Sequence, residues 1–298
     1  MKAWLQPKSF ERRYQRFLKK TTEQVRKEFL IRLGYIFKLK NYSKFEPGPD
    51  DYILEDETSL SKSSDEINLA VAGLMAWWIL QRSDIRATIR GYYHGINLYN
   101  DNQFVAVVKS VSGLSIPSTL SAPYSGRLVS PLPDLLTRLG ENADVYRQEP
   151  YLEGIEKNWV STQETYLDKT IVQAIGDSEL IVRNGVVTAL AANAIAELID
   201  RKFFIVGKRV NAFGEDQVFG LDTQLSEKRQ RSLGANEYIW QTRRDLRVRG
   251  NPNGLYPDAN PSHFIREGKI FNWNNPPSDG HPGEPAGCRC RAIFRLPR

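Results

Sequence analysis

The segment from Tyr238 to Arg298 constrains the fold more than any other part of this chain. It contains both cysteines, two of the three histidines and many of the glycines and prolines. Glycine permits backbone angles that other residues avoid, and proline fixes one of them, so this composition specifies a definite chain path. We therefore expect this segment to form a small module whose structure is tightly determined.

The chain before Gly234 has the apolar periodicity of α-helices. In the N-terminal segment, apolar residues recur in steps of three and four, which places them along one face of a helix. This stripe consists of Phe10, Tyr14, Phe17, Val25, Phe29, Leu33 and Ile36. Further helices are expected at Ile67 to Arg82, Ser83 to Ile96, Gln103 to Val111, Leu152 to Val182, Ala189 to Phe204, and from there to Leu233. The expected N-caps are Asp65 and Thr188, and the expected helix stop is Asn184-Gly185.

After Gly234 the periodicity changes from that of a helix to that of a strand. Tyr238, Trp240 and Thr242 alternate with residues of the other face, which is typical of a strand. Two more short strands are expected at Lys269 to Trp273 and at Cys288 to Phe294. The sequence thus predicts an α+β protein with a mainly α-helical N-terminal body and a small β-rich C-terminal module. Its core should be formed by large aromatic residues, namely Trp240, Phe271 and Trp273.

Composition divides the chain into three regions. Residues 1–66 are a basic N-terminal helix and an acidic arm, and residues 67–234 are a helical body. A long loop at residues 112–149 lies within the body and is rich in Ser, Pro and Gly, as is typical of loops that carry function or dock on a partner. Residues 235–298 are the C-terminal module.

Basic residues are clustered along the chain, although the net charge is only +6. Residues 1–44 contain 13 Lys or Arg and three Glu, whereas residues 46–66 contain eight acidic residues and one Lys. Separate blocks of charge indicate polyanionic partners, and exposed helix faces are the alternative interpretation. The candidates for contact with DNA are Arg12, Arg13, Arg16, Lys19, Lys20, Arg229, Arg231, Arg243 and Arg244.

The sequence disfavours a membrane protein and a disulfide-stabilised protein. Met1 to Leu33 lacks the apolar core of a signal peptide. The most apolar stretch, Leu69 to Leu80, is shorter than the roughly 20 residues that span a bilayer. Two cysteines provide no disulfide framework. We therefore expect no membrane partner and folding in a reducing cytoplasm.

Four residues of the C-terminal module are of the types that bind zinc in a tetrahedral site, namely His263, His281, Cys288 and Cys290. A metal ion would stabilise a module that has little core. The cysteines lack the usual two-residue spacing, however, and buried thiols on one strand face are the alternative, with Arg289 and Arg291 pointing outward. A redox role is a third alternative. We expect no cofactor, with zinc as the alternative.

Asp245, Arg247 and Arg249 alternate along the expected first strand and would share one face. A carboxylate–guanidinium pair would fix the following loop, and phosphate or partner binding is the alternative. The sequence contains no paired-carboxylate metal motif, no Gly-rich phosphate loop and no ordered Ser-His-Asp set. His281 lies in Gly-His-Pro-Gly, which suits a turn. We therefore expect no enzymatic activity.

Several short motifs follow one another in the last third of the chain. They are W-x-T-x-x-D-x-R-V-R (Trp240, Thr242, Asp245, Arg247, Arg249), His263 before G-K-x-F (Gly268, Phe271), Pro276-Pro277, Gly280-His-Pro-Gly283 and Cys288-Arg-Cys-Arg291, with Glu215-Asp-Gln-Val218 upstream. Together they resemble the phage Mu F-like family of head-morphogenesis, or minor head, proteins. The resemblance covers about residues 104–111 and 150–298. Glu215 stands where the family has Arg, and the spacer at residues 250–260 is long.

The resemblance implies a structural minor head protein of a tailed phage. Such a protein is in the virion head near the portal vertex, and in the host cytoplasm during assembly. It acts in head morphogenesis and in genome packaging or delivery. The implied partners are the portal protein, the major capsid protein or both, and packaged double-stranded DNA bound without sequence specificity. Two other classes are a DNA-modifying or effector enzyme carried in the head, and a zinc-stabilised DNA-binding module.

Overall fold

The computed structural model describes residues 7–37, 64–112, 149–188, 190–232 and 234–295. Within them lie four long helices, α1 (Lys8–Phe37), α2 (Ser64–Ser112), α3 (Glu149–Val187) and α4 (Ala192–Ser232). Three short strands follow, β1 (Glu237–Gln241), β2 (Ile270–Asn272) and β3 (Arg291–Phe294), with a one-turn 3-10 helix at Phe264–Arg266. The predicted α+β class is confirmed. Nearly all of the predicted long loop, and most of the acidic arm, lie outside the described residues.

Helix α2 is continuous where breaks were predicted at Ser83-Asp84 and near Asn100. The reason near Asn100 is tertiary. Its side-chain amide donates to Asp222 Oδ1 at 2.9 Å, and Asp101 forms a buried ion pair with Arg229 at 3.3 Å. Because these polar side chains are satisfied by α4, they do not act as the helix caps that their residue types favour.

The predicted stop at Asn184-Gly185 and the predicted cap at Thr188 are also wrong. Helix α3 continues to Val187, and the Thr188 hydroxyl donates back to the carbonyl oxygen of Asn184 at 2.7 Å. Gly185 stays helical, and a Cβ at this position would collide with the side chain of Ile195. Close helix packing, and not a turn, therefore explains this glycine. Helix α4 begins at Ala192 and runs on through Phe204.

The chain divides into two compact units, which we call the helical unit (residues 13–89 and 161–213) and the mixed unit (residues 1–12, 90–160 and 214–298). The predicted C-terminal module therefore belongs to one unit with parts of the predicted helical body. The apolar stripe of α1 supplies core residues to the helical unit, where Tyr14, Val25, Phe29 and Leu33 are buried. The Tyr14 hydroxyl also donates to Gln163 Oε1 at 2.8 Å.

The strands form one antiparallel sheet in the mixed unit, with the order β2-β1-β3. Tyr238 pairs with Phe271 of β2 and with Phe294 of β3. All three strands are shorter than predicted. After Gln241 the chain enters a series of turns, so the prediction that Asp245, Arg247 and Arg249 share a strand face is wrong.

An aromatic cluster forms the core of the C-terminal module, which we define structurally as residues 234–295. Tyr238, Trp240 and Trp273 are buried, and Phe271 packs against them. The Tyr238 and Trp273 ring centroids lie 4.3 Å apart. Cys288, Cys290 and Ala292 complete the cluster. The predicted aromatic core is confirmed, and Tyr238 is the member that sequence reasoning omitted.

The C-terminal module packs on α2 and α4 within the mixed unit. The Gln230 side-chain amide donates to the Ala292 carbonyl oxygen at 2.9 Å. Phe104 meets Phe294 edge-to-face, with centroids 5.7 Å apart. In the residues that the structure describes, no helix combines the length and the hydropathy that crossing a membrane requires.

Candidate functional site

Three of the four predicted metal ligands come together under the sheet. His263 Nδ1 lies 3.4 Å from Cys288 Sγ and 3.7 Å from Cys290 Sγ. The three ligand atoms all lie within 4.8 Å of one another, and all three residues are buried. We call His263, Cys288 and Cys290 the thiol–histidine cluster.

Backbone hydrogen bonds position the three side chains. His263 precedes the 3-10 helix, and its N–H donates to the Arg249 carbonyl oxygen at 3.0 Å. The Cys288 N–H donates to the Pro285 carbonyl oxygen at 2.8 Å and closes a turn. Gly287 in this turn has a φ of 71°, an angle that glycine adopts without strain. Cys290 is the residue immediately before β3.

The second nitrogen of the His263 ring, Nε2, contacts a carboxylate. His263 Nε2 lies 2.8 Å from Asp279 Oδ2, and Asp279 Oδ1 lies 2.7 Å from Arg266 Nη1. Burial raises the pKa of Asp279, but hydrogen bonds to His263 and Arg266 outweigh it and leave this pKa below its usual value. An ionised carboxylate only accepts hydrogen bonds, so Nε2 carries a proton and Nδ1 faces the sulfurs.

The surroundings favour a negative charge on Cys288. The hydrogen bond from Cys290, together with His263, holds the pKa of the Cys288 thiol well below its usual value despite burial. The Gly283 N–H also donates to Cys288 Sγ at 3.3 Å. The hydrogen bond to Cys288 and burial raise the pKa of Cys290. Burial disfavours the charged imidazole, but hydrogen bonds to Cys288 and Asp279 outweigh it and raise the pKa of His263.

His281, the fourth predicted ligand, does not join the cluster. Its Nδ1 lies 3.0 Å from the Tyr238 hydroxyl, and its ring centroid lies 4.9 Å from that of Trp273. The Gly-His-Pro-Gly turn carries the ring into the aromatic core, where burial of Tyr238 raises the pKa of its hydroxyl. His281 therefore has a packing role within the described residues.

Arg289 and Arg291 are buried, which contradicts the prediction that they point outward. Arg291 pairs with Asp222 at 2.7 Å. Arg289 pairs with Asp245 at 3.1 Å and lies 3.7 Å from Glu215. These arginines face inward because they pair there with carboxylates of the same unit. The alternation of residues along a strand does not predict such partners.

The predicted carboxylate–guanidinium pair at Asp245 exists, but with other arginines. Asp245 contacts Arg243 at 3.2 Å and Arg289 as described above. Arg247 instead contacts Glu215 at 3.2 Å, and Arg249 donates to the Ala286 carbonyl oxygen at 2.6 Å. Asp245 and Arg249 thus tie separate loops together, whereas Arg247 contacts α4, because turns and not a strand carry these residues.

The remaining motif residues form turns and loop contacts. The Thr242 N–H donates to Glu267 Oε2 at 2.5 Å. Gly268 has a φ of 74°, and its N–H donates to the Trp240 carbonyl oxygen at 2.8 Å. Pro276 is exposed and Pro277 half-buried. The Pro277 carbonyl oxygen accepts from the Gly280 N–H at 2.9 Å, so this dipeptide opens the turn that leads to Asp279.

The structure removes one residue from the DNA-contact candidates. Arg229 is 2% exposed and paired with Asp101, so it cannot reach a phosphate. Arg231 pairs with Glu227 at 2.7 Å, and Arg244 with Glu267 at 2.7 Å. Arg243 contacts Asp245 as described above. The exposed candidates on α1 are Arg12, Arg13, Arg16, Lys19 and Lys20.

Sequence reasoning missed Asp279 and Arg266, which orient His263. Asp279 lies in a Ser-Asp-Gly turn, where Asp is common for local reasons, so its residue type gave no separate signal. Asp216 was included only within a motif, yet its Oδ1 accepts from the Gly287 N–H at 2.9 Å. This contact ties α4 to the turn that carries Cys288.

The thiol–histidine cluster is enclosed. The cavity beside it has a volume of about 10 Å³ and is lined by all three cluster residues, Asp245, Gly287 and several arginines. Cys288, His263 and Asp279 have the order of a nucleophile, a base and an orienting group. The burial of all three residues and the small space beside them, about that of one water molecule, disfavour nucleophilic catalysis.

A larger groove of about 730 Å³ lies in the helical unit. Its lining includes Arg26, Asp200 and Phe204. Arg26 and Asp200 already pair with each other at 2.7 Å. The groove therefore offers an apolar surface with a charged rim. The candidate site with reactive and metal-binding side chains is the thiol–histidine cluster of the C-terminal module.

The chain is similar to an uncharacterized protein of Haemophilus influenzae. The two are 29% identical over 138 residues, which are 45% of this chain and 26% of that protein. The chain thus matches about a quarter of the length of this relative. No protein-family model matches the chain. No solved structure matches it either.

Proposed function

We propose that this protein is a structural minor head protein of a tailed phage, related to the phage Mu F-like proteins. It would lie at the portal vertex and act in head morphogenesis and in packaging or delivery of the genome. The observation that supports this most is the mutual contact of the motifs that resemble that family. Residues from each part of the ordered set meet one another in one C-terminal module.

The contacts among the motifs are specific. Trp240 of the first motif packs on Phe271 of the second, with centroids 5.4 Å apart. Asp245 of the first motif pairs with Arg289 of the last at 3.1 Å. His263 meets Cys288 at 3.4 Å. Residues that connect the motifs to one another in this way contribute to packing more than to turnover, which supports a structural protein over an enzyme.

The upstream motif joins the same set of contacts. Glu215 contacts Arg247 at 3.2 Å, and Asp216 accepts from the Gly287 N–H. Glu215 replaces the family's Arg, and its partners are arginines. An arginine at this position would face guanidinium groups, so the ion pairs of Glu215 are a feature of this chain and do not themselves support the resemblance.

The portal protein, the major capsid protein or both are the proposed protein partners. The test uses a phage whose genome encodes this chain. Purified heads should contain the full chain, and a map of the portal vertex should show it there. Heads assembled without it should be malformed, or should package or deliver DNA poorly. Absence of the chain from purified heads, or normal infectivity without it, would contradict the proposal.

Packaged double-stranded DNA is the proposed nucleic-acid partner, through the exposed basic residues of α1. Binding should be independent of sequence and should weaken steeply as salt rises, because phosphate contacts release counterions. Replacing Arg12, Arg13 and Arg16 with Ala should reduce the salt dependence. The matched control replaces three exposed arginines of α2 that already pair with carboxylates, Arg82, Arg86 and Arg90, and should leave the salt dependence unchanged. Binding that does not vary with salt would remove DNA as a direct partner.

The rival proposal is an enzyme carried in the head, with the C-terminal module as its catalytic part. Incubation of the full chain with duplex DNA separates the two proposals. Cleavage or modification that is lost in Cys288→Ser would favour the enzyme. Intact DNA together with assembly defects in the deletion would favour the structural protein.

A further inference from the structure

We propose that the thiol–histidine cluster binds one divalent metal ion of the zinc class through His263 Nδ1, Cys288 Sγ and Cys290 Sγ. The ion would hold the loops of the C-terminal module against its sheet. This site does not depend on the proposed phage function. The sequence expectation was no cofactor, with zinc as the alternative, and the geometry favours the alternative.

The spacing of the ligand atoms suits a shared zinc ion. Zinc lies about 2.3 Å from a thiolate and about 2.0–2.1 Å from an imidazole nitrogen, which at tetrahedral angles separates sulfur from nitrogen by about 3.5 Å. The two observed sulfur–nitrogen distances are 3.4 Å and 3.7 Å. Both sulfur–nitrogen separations therefore match those that a shared ion would impose, and the two sulfurs lie within 4.8 Å of each other.

The imidazole of His263 is oriented as a metal ligand would be. Histidines that bind metals commonly donate their other ring N–H to a carboxylate, which fixes the tautomer. His263 has this arrangement, since Nε2 contacts Asp279 at 2.8 Å. Arg266 holds the other Asp279 oxygen at 2.7 Å. The lone pair of Nδ1 is thereby aimed at the two sulfurs.

The two cysteine sulfurs suit a divalent cation in both charge and ligand type. Two thiolates neutralise the charge of a divalent ion, which reduces the free energy of burying the cation. The Gly283 N–H donates to Cys288 Sγ at 3.3 Å, a contact that stabilises a thiolate. Two sulfurs and one imidazole are the ligand types that select zinc over magnesium or calcium.

The fourth coordination position would be filled from the adjoining cavity. This cavity is lined by all three cluster residues and has a volume of about 10 Å³. That is about the space that one water molecule needs. We therefore assign a solvent molecule, and not His281, as the fourth ligand.

The ion would connect two separate segments of the C-terminal module directly, and a third through the contact between His263 and Asp279. His263 follows the turns after β1, whereas Cys288 and Cys290 lie before β3, 25 and 27 residues further along the chain. Asp279 belongs to the loop between β2 and the cysteines. A single ion would thus add a direct link between segments that also meet at the aromatic core.

The experiment uses the full chain, produced with added zinc and purified without chelator. Elemental analysis and native mass spectrometry should find about one zinc per chain. Substitution with Co²⁺ should give the absorption of a tetrahedral thiolate site. A chelator should lower the melting temperature. Cys288→Ser, Cys290→Ser and His263→Ala should each lose the metal.

Two further variants separate metal loss from unfolding. Asp279→Asn keeps the ligands and should weaken zinc binding by about 10–100-fold. The matched control is His281→Gln, a buried histidine of the same module that should retain about one zinc. Absence of zinc and of a cobalt spectrum in the unsubstituted protein, with melting unaffected by chelator, would overturn the proposal and leave two buried thiols.

Discussion

The helical unit and the C-terminal module are stabilised in different ways. In the helical unit, apolar side chains repeat along each helix, and buried residues such as Val25, Leu74 and Ile171 are members of long stripes. In the C-terminal module, individual polar residues have one or two particular partners, as Asp279 has in His263 and Arg266. A repeated pattern distributes stability over many similar residues, whereas a set of unique contacts concentrates it in a few.

The difference has a physical origin in chain geometry. A helix satisfies its own backbone hydrogen bonds, so its sequence must supply only an apolar face. The loops of the C-terminal module lack such a ladder, and each buried polar group needs a particular partner. Examples are the Thr223 hydroxyl, which donates to the Pro282 carbonyl oxygen at 2.7 Å, and Asp216, which accepts from Gly287.

The largest expected effect follows from removing the central aromatic residue of the C-terminal module. Trp240 is fully buried, so Trp240→Ala should lower the free energy of unfolding by about 3–5 kcal/mol. Hydrogen exchange should show loss of protection first in residues 234–295. Leu74→Ala, at a buried site of the helical unit, should cost about 2–5 kcal/mol and affect α2 first.

Proteolysis provides a second measurement for this pair. Trp240→Ala should make residues 214–298 of the mixed unit sensitive to protease, while the helical unit (residues 13–89 and 161–213) stays protected. A protease-resistant C-terminus in this variant would contradict the aromatic-core interpretation. The control is Leu246→Ala, which removes an exposed leucine of the same module and should change stability by less than about 0.5 kcal/mol.

A pair of arginines on α4 tests whether unique polar partners matter as much as the comparison implies. Arg229 is buried and paired with Asp101, so Arg229→Leu leaves a buried carboxylate without its cation and should cost about 3–5 kcal/mol. Arg231 is partly exposed and paired with Glu227, so Arg231→Leu should cost less than about 1 kcal/mol. Denaturant titration measures the change in unfolding free energy for both variants. Equal changes would show that the buried ion pair contributes no more than the partly exposed one.

Two glycines separate backbone strain from close packing. Gly283 and Gly287 have φ angles of 93° and 71°, so an alanine at either position is strained by about 1–2 kcal/mol. At Gly283 a Cβ would also collide with Thr223, whereas at Gly287 it would meet nothing nearby. Gly283→Ala should therefore destabilise the protein more than Gly287→Ala. Thermal melting measures the difference, and the reverse order would show that Thr223 moves aside easily.

The smallest expected effect is a change in the pH dependence of stability. Burial raises the pKa of Glu267, but hydrogen bonds from Thr242 and Arg244 outweigh it and lower this pKa from its usual value of 4.5. A lowered pKa contributes stability above the unfolded value that is lost as pH falls through the folded value. Glu267→Gln should therefore reduce the loss of stability that occurs as pH falls through the folded pKa of Glu267. An unchanged acid profile would show that the carboxylate contributes nothing.

Predictions from the sequence were correct for residue types that occur mainly in one environment, such as large apolar residues in the core. The stripe of α1 predicted buried positions at Tyr14 and Val25, and the large aromatics predicted the core at Trp240 and Trp273. It failed at polar residues such as Asn100 and Thr188. These residue types favour caps in isolation, and only their actual neighbours decide what they bind.

The sequence by itself determined the α+β class, the positions of the three strands and the aromatic core of the C-terminal module, because these follow from periodicity and side-chain size. It also identified His263, Cys288 and Cys290 as residues of the types that bind zinc. Only the tertiary structure decided that these three meet while His281 turns towards Tyr238. The same holds for Arg229, which has the charge of a surface residue but lies beside Asp101. Partners of this kind are far apart in the chain, and no local pattern contains the distance between them.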